Sequence, residues 1–321
     1  MDKHAIDTRA AETPRAGEPP GTRAVAPSTH AALPARRARV ESPTRRALRR
    51  FRRHKLAVVG MVILGLFILL AIFAPVVARV DPNRVDLLAR NLGPTAKHWF
   101  GTDRTGRDTF ARTLYAGRVS LVIGFAAATI SIVIGGTLGA ISGYFGRWVD
   151  SLVMRFTDVV MTFPAIVILL TVAALVGPGV RNTLIIIGLL NWPVPCRLVR
   201  AKFLALREQE FVQAARAIGC TPFRTIAVHA FPNTVDVLVV YASFGIVNAI
   251  LLEAGLSFLG LGVQPPTASW GNMINVARNI DVLQNYPWQW VPAGVAIVLT
   301  VLATNFIGDG VRDALDPRMQ L

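Results

Sequence analysis

An all-α membrane protein of six transmembrane helices is what this sequence predicts, on three observations. Of its 321 residues 53% are hydrophobic and only 17% charged, with mean hydropathy +0.47, which is too apolar for a water-soluble domain of this length. Six apolar runs recur along the chain, each able to supply the ~20 residues that cross a bilayer core. The basic residues crowd the flanks of those runs instead of spreading over a folded face.

The first 45 residues are rich in Ala, Pro, Thr and Arg and lack hydrophobic periodicity, so a disordered tail is expected there. Much of the net charge of +15 lies before residue 56, in Arg36, Arg37, Arg39, Arg45, Arg46, Arg49, Arg50, Arg52, Arg53 and Lys55. A basic block directly ahead of an apolar run reads as a cytoplasmic flank, not as a nucleic-acid surface. Cys196 and Cys220 cannot build a disulfide framework and lack metal-site spacing, so both are read as small packing residues.

Residues 56–78 form the first span and run outward from the basic flank. A polar outer loop is expected over 79–117, where Asp103 and Asp108 can pair with Arg104, Arg107, Arg112 and Arg118. Residues 119–144 form the second span, with Ser131, Gly135, Gly139 and Gly143 spaced every four residues for close helix–helix approach. The third span covers 148–176 and carries Arg155 and Asp158, which form either an i,i+3 ion pair or a gate contact on a transport path.

A fourth span over 182–204 is interrupted by Pro193 and Pro195 and succeeded by Arg197, Arg200, Lys202 and Arg207, which mark a cytoplasmic end. The fifth, 234–259, contains Glu253. A lone membrane carboxylate is either a pathway residue or a hydrogen-bond partner of a neighbouring helix or of Ser257. Trp270, Tyr286, Trp288 and Trp290 suit an outer aromatic belt, and 291–307 is the sixth span, returning the tail to the cytoplasm.

Between the fourth and fifth spans lies a polar, Arg-bearing stretch, residues 210–233. Phe211 to Ile218 suits a short helix, closed by Gly219 in a left-handed conformation. Thr221 and Pro222 restart the chain as N-cap and first helical residue, Pro232 stops the second piece, and Asn233 with Asp236 can cap the fifth span. Exposed Ala214 and Ala215 would let a partner backbone approach closely.

The run Gln213-Ala-Ala-Arg-Ala-Ile-Gly219, nine further residues and His229-Ala-Phe-Pro232 resemble the EAA signature of permease subunits of ATP-binding-cassette importers, E-A-A-x3-G-x9-I-x-L-P. Gln213 stands in place of the Glu and His229 in place of the Ile. Three more segments resemble the dipeptide/oligopeptide branch: the 98–108 block with Phe100-Gly-Thr-Asp103, the 256–271 block, and the 308–318 run Gly308-Asp-Gly-Val-Arg-Asp-Ala-Leu-Asp-Pro-Arg318. The resemblance spans residues of about 50–321.

It implies the type I importer permease fold in the bacterial cytoplasmic membrane, with both termini cytoplasmic. The chain would then divide into a basic tail (1–45), a first transmembrane helix with an outer loop (46–118) and a core of five transmembrane helices (119–321). A coupling loop at about 208–232 would meet an ATPase through Gln213, Ala214, Ala215, Gly219 and Pro232. The implied partners are a homologous permease, two cytoplasmic ATP-binding subunits that hold the ATP and Mg, an external solute-binding protein and membrane lipid, with no nucleic acid. The implied cargo is a dipeptide or oligopeptide.

No cofactor is expected in the chain itself. It contains no G-x4-G-K-[ST] phosphate loop, so a partner must hydrolyse the ATP. Intramembrane proteolysis is disfavoured, because Gly255-Leu-Ser257 has no histidine within a predicted span to serve as base. An ion-coupled secondary transporter is the stronger rival, although no internal repeat is visible.

Overall fold

The computed structural model describes residues 49–315; the tail expected over 1–45 and the end of the 308–318 run lie outside the described residues. Among the described residues the chain is helical without a β-strand, apart from one isolated antiparallel bridge between Thr102 and Asp108. Five helices are long and apolar enough to cross a membrane, and six when a bent pair is counted as one span. The all-α, multi-span expectation therefore holds.

Helix α1 is Lys55–Ile72, opened by His54, whose Nδ1 accepts from the Ala57 amide at 3.1 Å. Helix α2, Thr109–Phe145, begins ten residues before the expected Val119, because Asp108 Oδ1 accepts from the Ala111 amide at 2.7 Å and caps it there. The outer loop is correspondingly shorter. Helices α3, Arg147–Thr162, and α4, Ala165–Val176, were expected as one span but meet at an 83° bend. Pro164 causes it: Phe163, ahead of the ring, is extended at φ −88° and ψ 140°.

The expected interruption at the prolines separates α5, Val180–Leu190, from α6, Pro193–Leu206. Helix α7 is Glu210–Ala217, α8 is Val235–Phe258, α9 is the short Trp270–Asn275 and α10 is Val291–Leu315.

Helix α2 is the centre of the bundle and packs against α1, α5, α6 and α8. Its small-residue stripe faces α5 and α6 of the same chain. A Cβ on Gly135 would lie 2.5 Å from the Trp192 carbonyl and one on Gly143 2.5 Å from Phe203 Cβ, while Ser131 Oγ donates to the Gly188 carbonyl at 2.9 Å. Those glycines are therefore what lets the two backbones touch. Cys196 is buried in the same seam.

Trp270 is not part of an outer belt. It is 1% exposed, packs edge-on to Phe67 at 5.8 Å and donates its indole N–H to the Thr113 carbonyl at 3.1 Å. Around it gather Leu64, Ala71, Leu121, Ile250 and Met273, the core that joins α1, α2, α8 and α9.

Candidate coupling and pathway residues

The 210–233 stretch adopts the expected helix–joint–helix form. Gly219 takes φ +83°, and the amides of Gly219 and Cys220 close α7 onto the Arg216 and Ala215 carbonyls, both at 3.0 Å. Thr221 Oγ1 then accepts from the Arg224 amide at 3.4 Å with Pro222 in the first helical position. Gln213, Ala214, Gly219 and Pro232 are exposed. Ala215, in contrast, is buried beside Val212, because the i,i+3 spacing puts both on the inner face of α7. The outward apolar surface comes instead from Ile218 and Phe223, 82% and 81% exposed, on either side of the Gly219 joint.

One contact ties the stretch to the bundle, and a second closes the two helices that flank it. The Arg216 guanidinium lies 4.5 Å from the centroid of Tyr144, near the end of α2. Lys202 Nζ on α6 donates to Asp236 Oδ2 on α8 at 2.9 Å. Pro232 does not stop the chain, and neither Asn233 nor Asp236 caps α8. A π turn at Thr225–Ala230 and a 3-10 turn at Phe231–Thr234 carry the backbone past the proline. Asn233 Nδ2 donates to the His229 carbonyl at 2.8 Å and Thr234 Oγ1 to the Phe231 carbonyl at 2.7 Å, so side chains supply donors where the helical ladder is irregular.

Two acids inside the expected spans find partners on other elements. Asp158 does not pair with Arg155: its Oδ1 accepts from Arg197 Nη2 on α6 at 2.5 Å, across two helices, while Arg155 points outward. Glu253 has no exposed surface. Its Oε1 accepts from Ser257 Oγ at 2.8 Å and its Oε2 from Ser120 Oγ at 3.1 Å, so in this conformation it faces the chain's own interior.

Residues 135–321 match the family described as the binding-protein-dependent transport system inner membrane component. The chain belongs to that family. Residues 42–94 match a second description, the N-terminal transmembrane domain of oligopeptide transport permease C. The permease is 50% identical over 279 residues to a protein of Brucella suis biovar 1 named as a peptide permease, across 87% of this chain and 92% of that relative. It is 45% identical over 279 residues to the dipeptide transport system permease protein of Alkalihalophilus pseudofirmus, with 87% and 91% covered. To the glutathione transport system permease protein of an Escherichia coli O6 strain it is 42% identical over 282 residues, with 88% and 92% covered. The chain is thus a permease subunit of an ATP-binding-cassette importer, and the ion-coupled alternative has no support.

At the end of the permease opposite the 210–233 stretch, three of the four arginines expected in the outer loop are held locally. Asp103 Oδ2 accepts from Arg107 Nε at 2.7 Å and lies 3.9 Å from Arg112 Nε. Arg118 Nη2 donates to the Ile72 carbonyl at 2.6 Å and so caps the end of α1. Asp108 pairs not with an arginine but with His98 Nδ1, at 2.8 Å. Burial pushes the Asp103 carboxyl up, yet hydrogen bonds from Thr105 and from the Arg107 backbone and side chain outweigh it and hold it below the usual carboxylate range.

Sequence reasoning missed two features of the permease. The Arg216–Tyr144 contact joins residues far apart in sequence, and only the generic value of Arg over an aromatic ring hints at it. Asn191 and Asn248 meet where α5 breaks: Asn248 Nδ2 donates to Asn191 Oδ1 at 3.2 Å. Two amides in otherwise apolar spans were the available signal.

Proposed function

We propose that this subunit forms half of a pathway for peptide import, and that its 208–232 segment is the surface through which a cytoplasmic ATPase drives it. The observation that carries this reading is the exposed Gln213, Ala214, Ile218, Gly219 and Phe223 on a segment whose inner face, Val212 and Ala215, is buried against the chain. An exposed apolar patch on an anchored, polar-flanked segment is the signature of a protein contact. Pro232 sets where that segment passes into α8.

The basic residues Arg147, Arg200, Lys202, Arg207 and Arg216 lie at the coupling end, which supports a cytoplasmic position for that end and for both termini. The partners are a homologous permease, two ATP-binding subunits that hold ATP and Mg, and an external solute-binding protein. ATP-driven closure of the two ATPases draws the paired coupling segments together and opens the path outward; hydrolysis resets it. Asp158, bridged to Arg197, and the outward Arg155 stand at the path's gate. Glu253 holds the outer end of the path in shape from within. Cargo made of amide-linked units is supported by relatives named for peptides, a dipeptide and glutathione.

Purification of the tagged chain in mild detergent from its own cells, followed by mass spectrometry, tests the reading. A phosphate-loop ATPase and a second multi-span protein in near-equal amounts are the expected result. A chain that purifies alone and moves solute in liposomes on an ion gradient without ATP would overturn it.

A further inference from the structure

We infer that Asn191 and Asn248 form a polar station on the wall of the translocation path, where main-chain amides of a passing peptide exchange hydrogen bonds. The inference rests on the peptide-import reading and names a site for it. Asn191 lies eleven residues into the span that starts at Val180, and Asn248 ten residues before the end of α8. At 1.5 Å per residue both sit roughly 15–17 Å below the outer ends of their helices, near the middle of a bilayer core.

Three observations turn this pair toward the path. First, the backbone is broken at that depth. Pro193 and Pro195 have no N–H for the carbonyls of Leu189 and Asn191, and Asn191 O takes its hydrogen bond from the Tyr241 hydroxyl at 3.2 Å. Broken helices at membrane depth line cavities or protein, not lipid tails.

Second, the pair is incompletely used. Asn191 Nδ2 donates to the Ile187 carbonyl at 3.0 Å and Asn248 Nδ2 to Asn191 Oδ1, but Asn248 Oδ1 has no hydrogen-bond partner among the described residues and the residue is exposed. An amide left open to hydrocarbon is costly, so it calls for water or a polar ligand.

Third, the face of α8 that carries Asn248 leads into a groove. One and two turns on from Asn248 along that face, Phe244 and Tyr241 line a cleft of about 350 Å³ together with Leu198 of α6 and Arg312 and Leu315 of α10. The cleft reaches Asp236, which is paired with Lys202 at the coupling end. A polar head, apolar walls and a charged mouth form a graded track from mid-membrane to the coupling end.

The chemistry fits a peptide. A carboxamide offers one acceptor and donors of the kind the peptide main chain offers back, so it recognises the backbone whatever the side chains are. Being uncharged, it binds weakly enough to release.

The test uses the complete importer in vesicles, fuelled with ATP and given a tripeptide with its binding protein. Asn248→Leu is expected to lower peptide uptake roughly tenfold, the worth of about one hydrogen bond, while the complex still assembles. Asn248→Ser, which supplies a hydroxyl in place of the carboxamide, should recover most of it. Asn248→Cys should react with a charged methanethiosulfonate reagent during turnover, beyond the labelling of the unsubstituted complex, and more slowly when tripeptide is present. Unchanged uptake in Asn248→Leu, or no labelling of Asn248→Cys in any state, overturns the inference while leaving peptide import standing. A parent complex that moves no peptide removes the import reading itself.

Discussion

The Ser120 hydroxyl on α2 donates to Glu253 Oε2 on α8 at 3.1 Å while its own oxygen accepts from the Trp270 amide at 3.1 Å. Ser257 repeats the pattern, donating to Glu253 Oε1 at 2.8 Å and accepting from the Val263 amide at 3.0 Å. Glu253 thus gathers the hydroxyls that hold the backbone of the 263–272 segment. Replacing it with Ala strands those hydroxyls, at about 1–3 kcal/mol for each one left unsatisfied. Glu253→Ala should lower the thermal midpoint of the detergent-purified complex by more than Glu253→Gln, which keeps an acceptor oxygen. Equal midpoints for both variants and the parent would refute this role.

Gly219 at φ +83° has open space where a Cβ would go, with nothing within 4 Å. A substitution there acts through backbone strain alone, about 1–2 kcal/mol for a residue with a Cβ and more for a β-branched one. Gly219→Val should reduce peptide uptake and its coupling to ATP hydrolysis while the subunits still assemble. Normal uptake by an assembled Gly219→Val complex would show that the turn's handedness is not needed.

Glycines along the bundle should divide by what surrounds them. Gly135→Ala places a Cβ 2.5 Å from the Trp192 carbonyl, and backbone cannot step aside, so folded yield and thermal midpoint should fall. Gly255→Ala and Gly294→Ala meet nothing within 4 Å and should be neutral or slightly stabilising, since both sit in helices. Fluorescence-detected size exclusion of the three variants after heating separates these outcomes.

The outer loop should be acid-labile. The folded pKa of Asp103 lies below its ordinary 3.8, so the carboxylate's contribution is complete above that value and is lost as pH falls through the lower folded one. Protection from hydrogen exchange over residues 90–112, taken relative to the intrinsic rate at each pH, should be high at pH 6 and fall below about pH 4, and Asp103→Asn should lower it at pH 6 as well. Exchange in Asp103→Asn that matches the parent at both pH values would place the loop's order elsewhere.

What could be read in the sequence was what local chemistry decides. Gly219, Thr221 and the prolines at 193 and 195 act on their own backbone, and their joints lie where expected. The stripe from Ser131 to Gly143 announced a close helix contact, although not that the partner was α5 and α6. What stayed hidden depends on tertiary neighbours. Arg112 made 109–118 look like loop, yet the side chain is 5% exposed within α2 and donates to the Pro82 carbonyl. Asp158 found Arg197 instead of the nearer Arg155, and Trp270 took a core site through Ser120, 150 positions away. Pro232 reads as a stop by the rule for water-soluble helices, whereas here a π turn and a 3-10 turn carry the backbone past it.

The 37 residues of α2 make a rod of about 55 Å, nearly twice the ~30 Å hydrocarbon thickness. At one tip Tyr144 carries Arg216 of the coupling stretch; at the other Asp108 caps the helix and grips His98 of the outer loop. A lever held at its middle by the helices of the bundle results. A tilt of about 5° would move one tip by roughly 5 Å relative to the other over that length. Motion imposed on one side of the bilayer would reach the opposite side along one unbroken helix, with no relay of intermediate contacts.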